Sequence, residues 1–219
     1  MRSPLGDRVL AVVAHPDDEA WAMGGTLARC ADAGATVHVL CMTRGEGGGD
    51  PTVRASELAA SCAILGATHR LLDLPDGALA TFPVEQARTL LQREIDAFAP
   101  TAVLTLGPDG GYGHLDHIAV TDWLADCGVP VWHAVFPPGL MHPVWRGLRR
   151  AKVAPVRKGL SPEAFGSEHA ELIVDIVVDR KRAAVAAHAS QLPGGDPERF
   201  LRPGLLAALG DAERWTRSP

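Results

Sequence analysis

The chain has 219 residues, 47% of them hydrophobic, and a formal net charge of −5 at pH 7. A chain of this length can bury a full core, and we expect a single domain over residues 1–219. The basic residues cluster only modestly, within 149–158, which argues against a nucleic-acid surface. No apolar run approaches the length of a membrane span, and the first residues lack the apolar core of a secretory signal peptide. We therefore expect a cytoplasmic protein that binds neither nucleic acid nor membrane.

Four cysteines are spread along the chain, at Cys30, Cys41, Cys62 and Cys127. They form no CxxC pair, and each lies among apolar or small residues. This pattern predicts buried, reduced thiols rather than disulfides or metal ligands, and it agrees with a reducing compartment.

Strand and helix patterns alternate along the chain. Residues 8–14 form a continuous apolar run with β-branched members, which is typical of a buried parallel strand, and residues 19–33 follow with helical spacing up to Gly34. Further strands are predicted at 36–42, 69–74, 101–106, 131–135 and 171–178. Further helices are predicted at 52–65, 84–98, 117–125, 179–190 and 197–209. The stretch 137–166 is rich in proline, glycine and arginine, and its weak periodicity indicates a long irregular segment that forms part of the site wall.

This alternation predicts an α/β fold, a Rossmann-like doubly wound, mostly parallel sheet flanked by helices. In such sheets ligands bind outside the carboxyl ends of the strands. Two polar clusters follow predicted strands directly, one beginning at His15 and the other at Tyr112. Topology alone therefore places both clusters at the same edge of the sheet.

The two clusters offer six metal-ligating side chains: His15, Asp17, Asp18, His114, Asp116 and His117. A catalytic zinc uses three protein ligands and keeps one position open for water, so the spacing leaves open which three bind. His15 and Asp18 are three residues apart and can turn inward together, with Asp17 beside the metal as a base. A lone Asp pair would be an ordinary helix N-cap, and a lone histidine an ordinary core residue. Their coincidence at one edge favours a metal-dependent hydrolase.

The same residues resemble a known family. His15-Pro16-Asp17-Asp18-Glu19 resembles the first signature of the LmbE-like (PIG-L) zinc-dependent N-acetylglucosaminyl deacetylases, and His114-Leu115-Asp116-His117 resembles their HxDH motif. The smaller similarities are Thr43-Arg44-Gly45-Glu46 to a TxGE loop, Arg54 and Glu57 to an RxxE helix, Leu74-Pro75-Asp76-Gly77 to a DG turn, and Lys181 with His188-Ala189-Ser190-Gln191 to a late K…HxSQ segment. The resemblance covers residues 8–191.

The resemblance implies a role for each matching residue. The metal ligands would be His15, Asp18 and His117. Asp17 would be the general base, and His114 would stabilise the oxyanion and protonate the leaving amine. Asp116 would orient His114 and raise its pKa, and Tyr112 would lie near the substrate carbonyl.

Three further residues are candidate substrate contacts. Arg54 and Asp76 match positions where some sugar-processing members contact hydroxyl groups. Glu46 lies in the glycine-rich loop 43–50 and is interpreted either as part of a flexible loop or as a polar wall near the metal.

The implied activity is removal of the acetyl group from an N-acetylated amino sugar or glycoside by a metal-activated water. The implied cofactor is Zn²⁺, with Fe²⁺ as an alternative, because a His/His/Asp site accepts either ion. The partner is a small molecule, and a homo-oligomer is left open. One alternative substrate is a larger amide, such as a thiol conjugate. An alternative of another class is a nucleotide-binding module, but the GxGxxG it requires after the first strand is absent.

Overall fold

A computed structural model describes residues 2–218. Seven strands form one sheet in the order β3-β2-β1-β4-β5-β7-β6. They are β1 (Arg8–Val13), β2 (Thr36–Thr43), β3 (Thr68–Leu74), β4 (Ala102–Leu106), β5 (Val131–Val135), β6 (Leu172–Asp175) and β7 (Ala212–Arg217). The first five strands pair in parallel, whereas β7 is antiparallel to both of its neighbours. The predicted fold class is confirmed.

Helices cover both faces of the sheet. They are α1 (Asp18–Trp21), α2 (Gly24–Asp32), α3 (Pro51–Leu65), α4 (Val84–Phe98), α5 (Gly110–Gly113), α6 (Leu115–Trp123), α7 (His142–Ala151), α8 (Val178–Ala187) and α9 (Leu205–Leu209). Successive residues of β1 belong to two separate cores, because side chains alternate across a strand. Val9 and Ala11 pack in the core that contains α1, α2, α3 and α8, and Leu10 and Val12 pack in the core that contains α4 and α6.

The predicted helix 19–33 is in fact two helices, α1 and α2. The chain leaves helical geometry at Met23, and the N–H groups of Gly25 and Thr26 bind the carboxylate of Glu213 at 2.9 and 2.7 Å. Glu213 belongs to β7, so a residue from the far end of the chain caps the start of α2. A cap supplied by tertiary structure cannot be read from local spacing.

The last third of the chain holds the other differences. The stretch 137–166, predicted as irregular, contains the amphipathic helix α7, which buries Val144 and Trp145. The predicted helix 197–209 is helical only at α9 and otherwise a short 3₁₀ turn, and the predicted strand 171–178 shortens to β6. Strand β7 went unpredicted, because its buried positions are occupied by Glu213 and Trp215 rather than by a run of aliphatic residues.

Two sequence-based expectations concern the chain as a whole. All four cysteines are free, with Cys127 partly buried and the other three buried, as predicted. Within residues 2–218, none of the helices combines the length and the apolar character needed to span a membrane.

The topology concentrates the candidate residues at one place. β1 lies between β2 and β4, where the direction of strand order reverses, and ligands of doubly wound sheets bind at such a point. His15 follows β1, the loop 44–50 follows β2, Asp76 follows β3, and residues 107–114 follow β4. The candidate site residues therefore lie at the carboxyl ends of four adjacent strands.

Candidate metal centre

Three buried donor atoms converge between β1 and α6. His15 Nδ1 lies 3.1 Å from His117 Nε2, and Asp18 Oδ2 lies 3.5 Å from His15 Nδ1 and 3.3 Å from His117 Nε2. Zinc binds nitrogen and oxygen at about 2.0–2.1 Å, so the ligands of a tetrahedral ion are separated by about 3.3 Å. The three measured separations match that edge length. His15, Asp18 and His117 therefore fit three ligands of one divalent ion.

Hydrogen bonds set the direction of both imidazoles. His117 Nδ1 donates to Gly110 O at 3.0 Å, which leaves the lone pair of Nε2 toward the other donors. His15 Nε2 lies 3.0 Å from Asp76 Oδ1 and 3.3 Å from Asp116 Oδ2, so its proton sits on that side and Nδ1 is free to ligate. Metal-binding histidines are typically supported by a carbonyl or carboxylate in this way.

The third donor is held as a carboxylate. Burial alone would raise the pKa of Asp18, but the facing His117 and His15 rings hold that pKa well below its usual range. Asp18 Oδ1 accepts from Trp21 Nε1 at 3.2 Å, and Asp18 Oδ2 accepts from the backbone N–H of His15 at 3.0 Å. The ligand set is therefore oriented by the protein itself.

Two other groups of donor atoms lie within 4.8 Å of one another: His15 with His114 and His117, and His15 with Asp76 and Asp116. In the second group the carboxylates already accept backbone N–H bonds, Asp116 from Gly77 at 2.7 Å and Asp76 from Gly47 at 2.8 Å. These two carboxylates therefore support His15 rather than replace Asp18.

Asp17 lies beside the three donors without facing them. Its φ of 128° is a conformation that L-residues rarely adopt, and it turns the carboxylate toward Arg54, whose Nη2 lies 2.8 Å from Asp17 Oδ2. Burial raises the pKa of Asp17 to about 6, with the neighbouring Asp18 adding to the shift and Arg54 opposing it. A carboxyl group with this pKa can both accept and release a proton near neutrality.

His114 is neutral and points a donor at the cavity. It caps α6, with Nδ1 accepting from the backbone N–H of Asp116 at 3.2 Å, so the ring proton resides on Nε2. Burial lowers the pKa of His114 far below its ordinary value, and the neighbouring His117 and His15 rings lower it further.

The structure differs from the predicted role of Asp116. Its carboxylate accepts from the backbone N–H groups of Gly77 and Leu79 and lies beside His15, and only its backbone N–H reaches the His114 ring. The expectation that the Asp116 carboxylate raises the pKa of His114 is wrong, because that pKa is lowered. His114 is the N-cap residue of α6 and has extended backbone, so its ring faces the backbone N–H of Asp116 rather than the carboxylate.

The candidate substrate contacts form a second layer around these residues. A cavity of about 280 Å³ opens over the centre. Its polar lining comprises His15, Asp17, Arg54, Asp76, Tyr112, His114 and Gln191, and its apolar lining comprises Leu148, Val153, Ala154, Pro155 and Leu201. Tyr112 lies edge-on to His117, with ring centroids 5.2 Å apart.

Arg54 and Asp76 line this cavity, but both Nη atoms of Arg54 and the Asp76 carboxylate are engaged by the protein, whereas the buried Arg54 Nε has no partner within residues 2–218. Arg54 donates to Asp17, to Pro16 O and to Gly45 O, and Asp76 lies against His15. Glu46 is exposed, accepts from the backbone N–H of Asp76 at 2.9 Å, and is not among the lining residues of the cavity. Each of the three therefore supports another part of the site.

Sequence reasoning missed a buried group behind Asp17. Glu19 is completely buried and contacts Ser61 and His188. The available signal was a carboxylate just before the apolar run 20–23, where a charge is unusual.

The PIG-L family, described as GlcNAc-PI de-N-acetylase, matches residues 10–127. This chain belongs to the PIG-L family. A relative from Nakamurella multipartita, named 1D-myo-inositol 2-acetamido-2-deoxy-alpha-D-glucopyranoside deacetylase, is 34% identical, and the match covers 93% of this chain and 84% of the relative. The family predicted from the motifs is confirmed.

Solved structures share the fold of this PIG-L chain. N,N'-diacetylchitobiose deacetylase from Pyrococcus horikoshii superposes with a TM-score of 0.67 at 24% identity, covering 97% of this chain and 84% of that one. The 4-carboxy-2-hydroxymuconate hydratase GalB of Pseudomonas putida superposes with a TM-score of 0.66 at 18% identity, covering 100% of this chain and 97% of that one. Because a deacetylase and a hydratase both use this fold, the reaction must be argued from the site.

Proposed function

We propose that this protein is a metal-dependent hydrolase that removes the acetyl group from an N-acetylated amino sugar or glycoside. The observation that carries the proposal is the set of three donor atoms, His15 Nδ1, Asp18 Oδ2 and His117 Nε2, at separations of 3.1–3.5 Å, with Asp17 adjacent but not part of it. The name of the Nakamurella multipartita relative supports the substrate class.

His15, Asp18 and His117 would hold Zn²⁺ or Fe²⁺. Such an ion lowers the pKa of water at its open position and polarises a carbonyl oxygen. Asp17 removes the proton from the attacking water. Arg54, whose Nη2 lies 2.8 Å from Asp17 Oδ2, orients the carboxylate. With a pKa of about 6, Asp17 is ionised at neutral pH and yet can carry the proton that it takes.

We assign His114 and Tyr112, which line the cavity, to the amide oxygen as it becomes an oxyanion. The Nε2–H of neutral His114 can donate to that oxygen, and this hydrogen bond strengthens as negative charge develops on the oxygen. The lowered pKa of His114 favours Asp17 over a His114 imidazolium as the acid. Asp17 therefore returns its proton to the amide nitrogen as the C–N bond breaks, and the products are acetate and a free amine.

The test measures metal content and amine release on the same preparation. The substrates are N-acetylglucosamine, its glycosides with a polyol aglycone, and amides of thiol conjugates. We expect one divalent ion per chain and release of acetate and amine that stops with a chelator and returns when metal is restored. Bound metal with turnover of thiol-conjugate amides alone would favour the larger-amide alternative. Protein that binds no divalent metal would refute the proposal.

A further inference from the structure

Asp17 has an unusual backbone that the surrounding structure must maintain. Its φ of 128° and ψ of −28° lie outside the regions that non-glycine residues commonly occupy. Such conformations persist only where neighbouring contacts over-determine them. The direction of the Asp17 carboxylate depends on this backbone, so the contacts that hold it also set the position of the base.

Glu19 supplies the contact at the backbone nitrogen. Its Oε2 accepts from the N–H of Asp17 at 3.0 Å. The Glu19 side chain is completely buried, and the hydrogen bond to Asp17 is partly buried. Without Glu19, this N–H would lose its protein acceptor.

Glu19 is itself fixed from two other helices. Its Oε1 accepts from Ser61 Oγ of α3 at 2.6 Å and from His188 Nε2, at the end of α8, at 2.7 Å. The other ring nitrogen of His188 finds no partner within residues 2–218, so the imidazole is committed to Glu19. A carboxylate that accepts three hydrogen bonds in a buried site has little freedom to move.

Helix α3 contacts Asp17 along two routes. Arg54 and Ser61 are two turns apart on this helix and therefore lie on the same face. Arg54 binds the Asp17 carboxylate directly, whereas Ser61 reaches the Asp17 backbone through Glu19. Helix α3 therefore holds both the side chain and the backbone of Asp17, through Arg54 and through Glu19.

We propose that Glu19, anchored by Ser61 and His188, is a positioning residue that fixes the backbone of Asp17 and thereby aims its carboxylate at the attacking water. The proposal rests on the proposed function of Asp17 as the base. Glu19 touches no reacting atom, and its effect passes through Asp17.

The chain offers a matched control in Glu213. This second buried glutamate likewise accepts three hydrogen bonds, two from backbone N–H groups and one from Lys181 Nζ at 2.7 Å, but it contacts α2 and α8 rather than Asp17. Glu19→Met and Glu213→Met each remove a buried carboxylate and change the side-chain volume little. Glu19→Gln keeps an acceptor oxygen for the Asp17 N–H.

We expect Glu19→Met to lower kcat by about 10- to 100-fold, since a small displacement of a catalytic group has an effect of this order. Metal content and KM of Glu19→Met should stay near wild type. Glu19→Gln should recover most of kcat. Glu213→Met should lower the melting temperature without lowering kcat. In an Asp17→Asn background, Glu19→Met should cause no further loss, because the base it positions is already absent. Ser61→Ala, a milder change, should lower kcat in the same direction.

Equal losses of kcat in Glu19→Met and Glu213→Met would overturn the proposal, as would an additive loss in the Asp17→Asn background. Crystal structures of Glu19→Met and Ser61→Ala, with Glu213→Met as the control, give a readout independent of turnover. Unchanged Asp17 φ and an unchanged Arg54 contact in both Glu19→Met and Ser61→Ala crystals would also overturn it. Absence of amide hydrolysis in the wild type would instead refute the proposed function, and the crystal structures would still decide whether Glu19 places Asp17.

Discussion

Arg54 Nη2 lies 2.8 Å from Asp17 Oδ2, across 37 positions of sequence, and only 4% of the Arg54 side chain is exposed. The same guanidinium also donates to two backbone carbonyls, of Pro16 and Gly45. One planar group therefore holds the turn after β1, the loop after β2 and the candidate base together.

Replacement of Arg54 by lysine should lower kcat by more than tenfold while the protein stays folded. Lysine keeps the charge but cannot reproduce the fork of donors that arginine presents to three acceptors at once. Steady-state kinetics together with circular dichroism would check this. Wild-type kcat in Arg54→Lys would mean that charge alone is needed.

Asp17→Asn should reduce turnover by about 10²- to 10⁴-fold, the usual contribution of a positioned general base. Its metal content should match wild type, because His15, Asp18 and His117 remain. Elemental analysis beside the kinetic assay measures both quantities. Loss of metal in this variant would instead make Asp17 a ligand, contrary to the assignment.

Asp116→Asn should weaken metal binding by about 10- to 100-fold, as changes to residues that support ligating histidines typically do. The reason is that the Asp116 carboxylate lies 3.3 Å from His15 Nε2. Competition with a fluorescent chelator would give the affinity. If affinity is unchanged and only kcat falls, Asp116 acts through His114 after all.

His188 should make stability depend on pH in a defined direction. Burial lowers the pKa of His188, but the Glu19 carboxylate more than offsets this, so the folded-state pKa lies above the ordinary value of 6.5. The protonated pair therefore contributes fully below about pH 6.5, the unfolded-state value, and its contribution is lost as pH rises through the folded pKa. The difference in free energy of unfolding between wild type and His188→Gln should shrink from pH 6 to pH 9, as measured by urea titration. Ser61→Ala removes a group that does not titrate in this range, so its destabilisation should vary less with pH.

Two glycines should respond in opposite ways to alanine. A Cβ at Gly25 would lie 2.5 Å from Ile176 Cβ, whereas a Cβ at Gly147, in the exposed face of α7, would meet nothing within 4 Å. We expect Gly25→Ala to cost about 1–3 kcal/mol of stability through overpacking, and Gly147→Ala to add about 0.5–1 kcal/mol through helix propensity. Thermal unfolding of the two variants provides the comparison. A stable Gly25→Ala protein would show that α2 can move away from Ile176.

The features of this protein that depend on periodicity and on chain order were predictable from the amino-acid sequence. The β-branched apolar run at 8–14 predicted a buried strand, and the alternation that follows it predicted a parallel sheet. The alternation also placed both histidine clusters directly after strands, and hence at one edge of the sheet. The late strand β7 escaped, because its inward residues include Glu213, whose burial depends on Lys181 and on the start of α2.

The roles of the individual polar residues depend on contacts between distant parts of the chain. Six donors were available, and distances between residues about a hundred positions apart favour His15, Asp18 and His117 as the ligand set. The direction of a side chain is set by its rotamer and by its neighbours in space, which explains why Asp116 faces His15 and why Arg54 and Glu19 act on Asp17. Spacing along a chain identifies which side chains can reach a site, but the packed neighbours determine which atoms meet there.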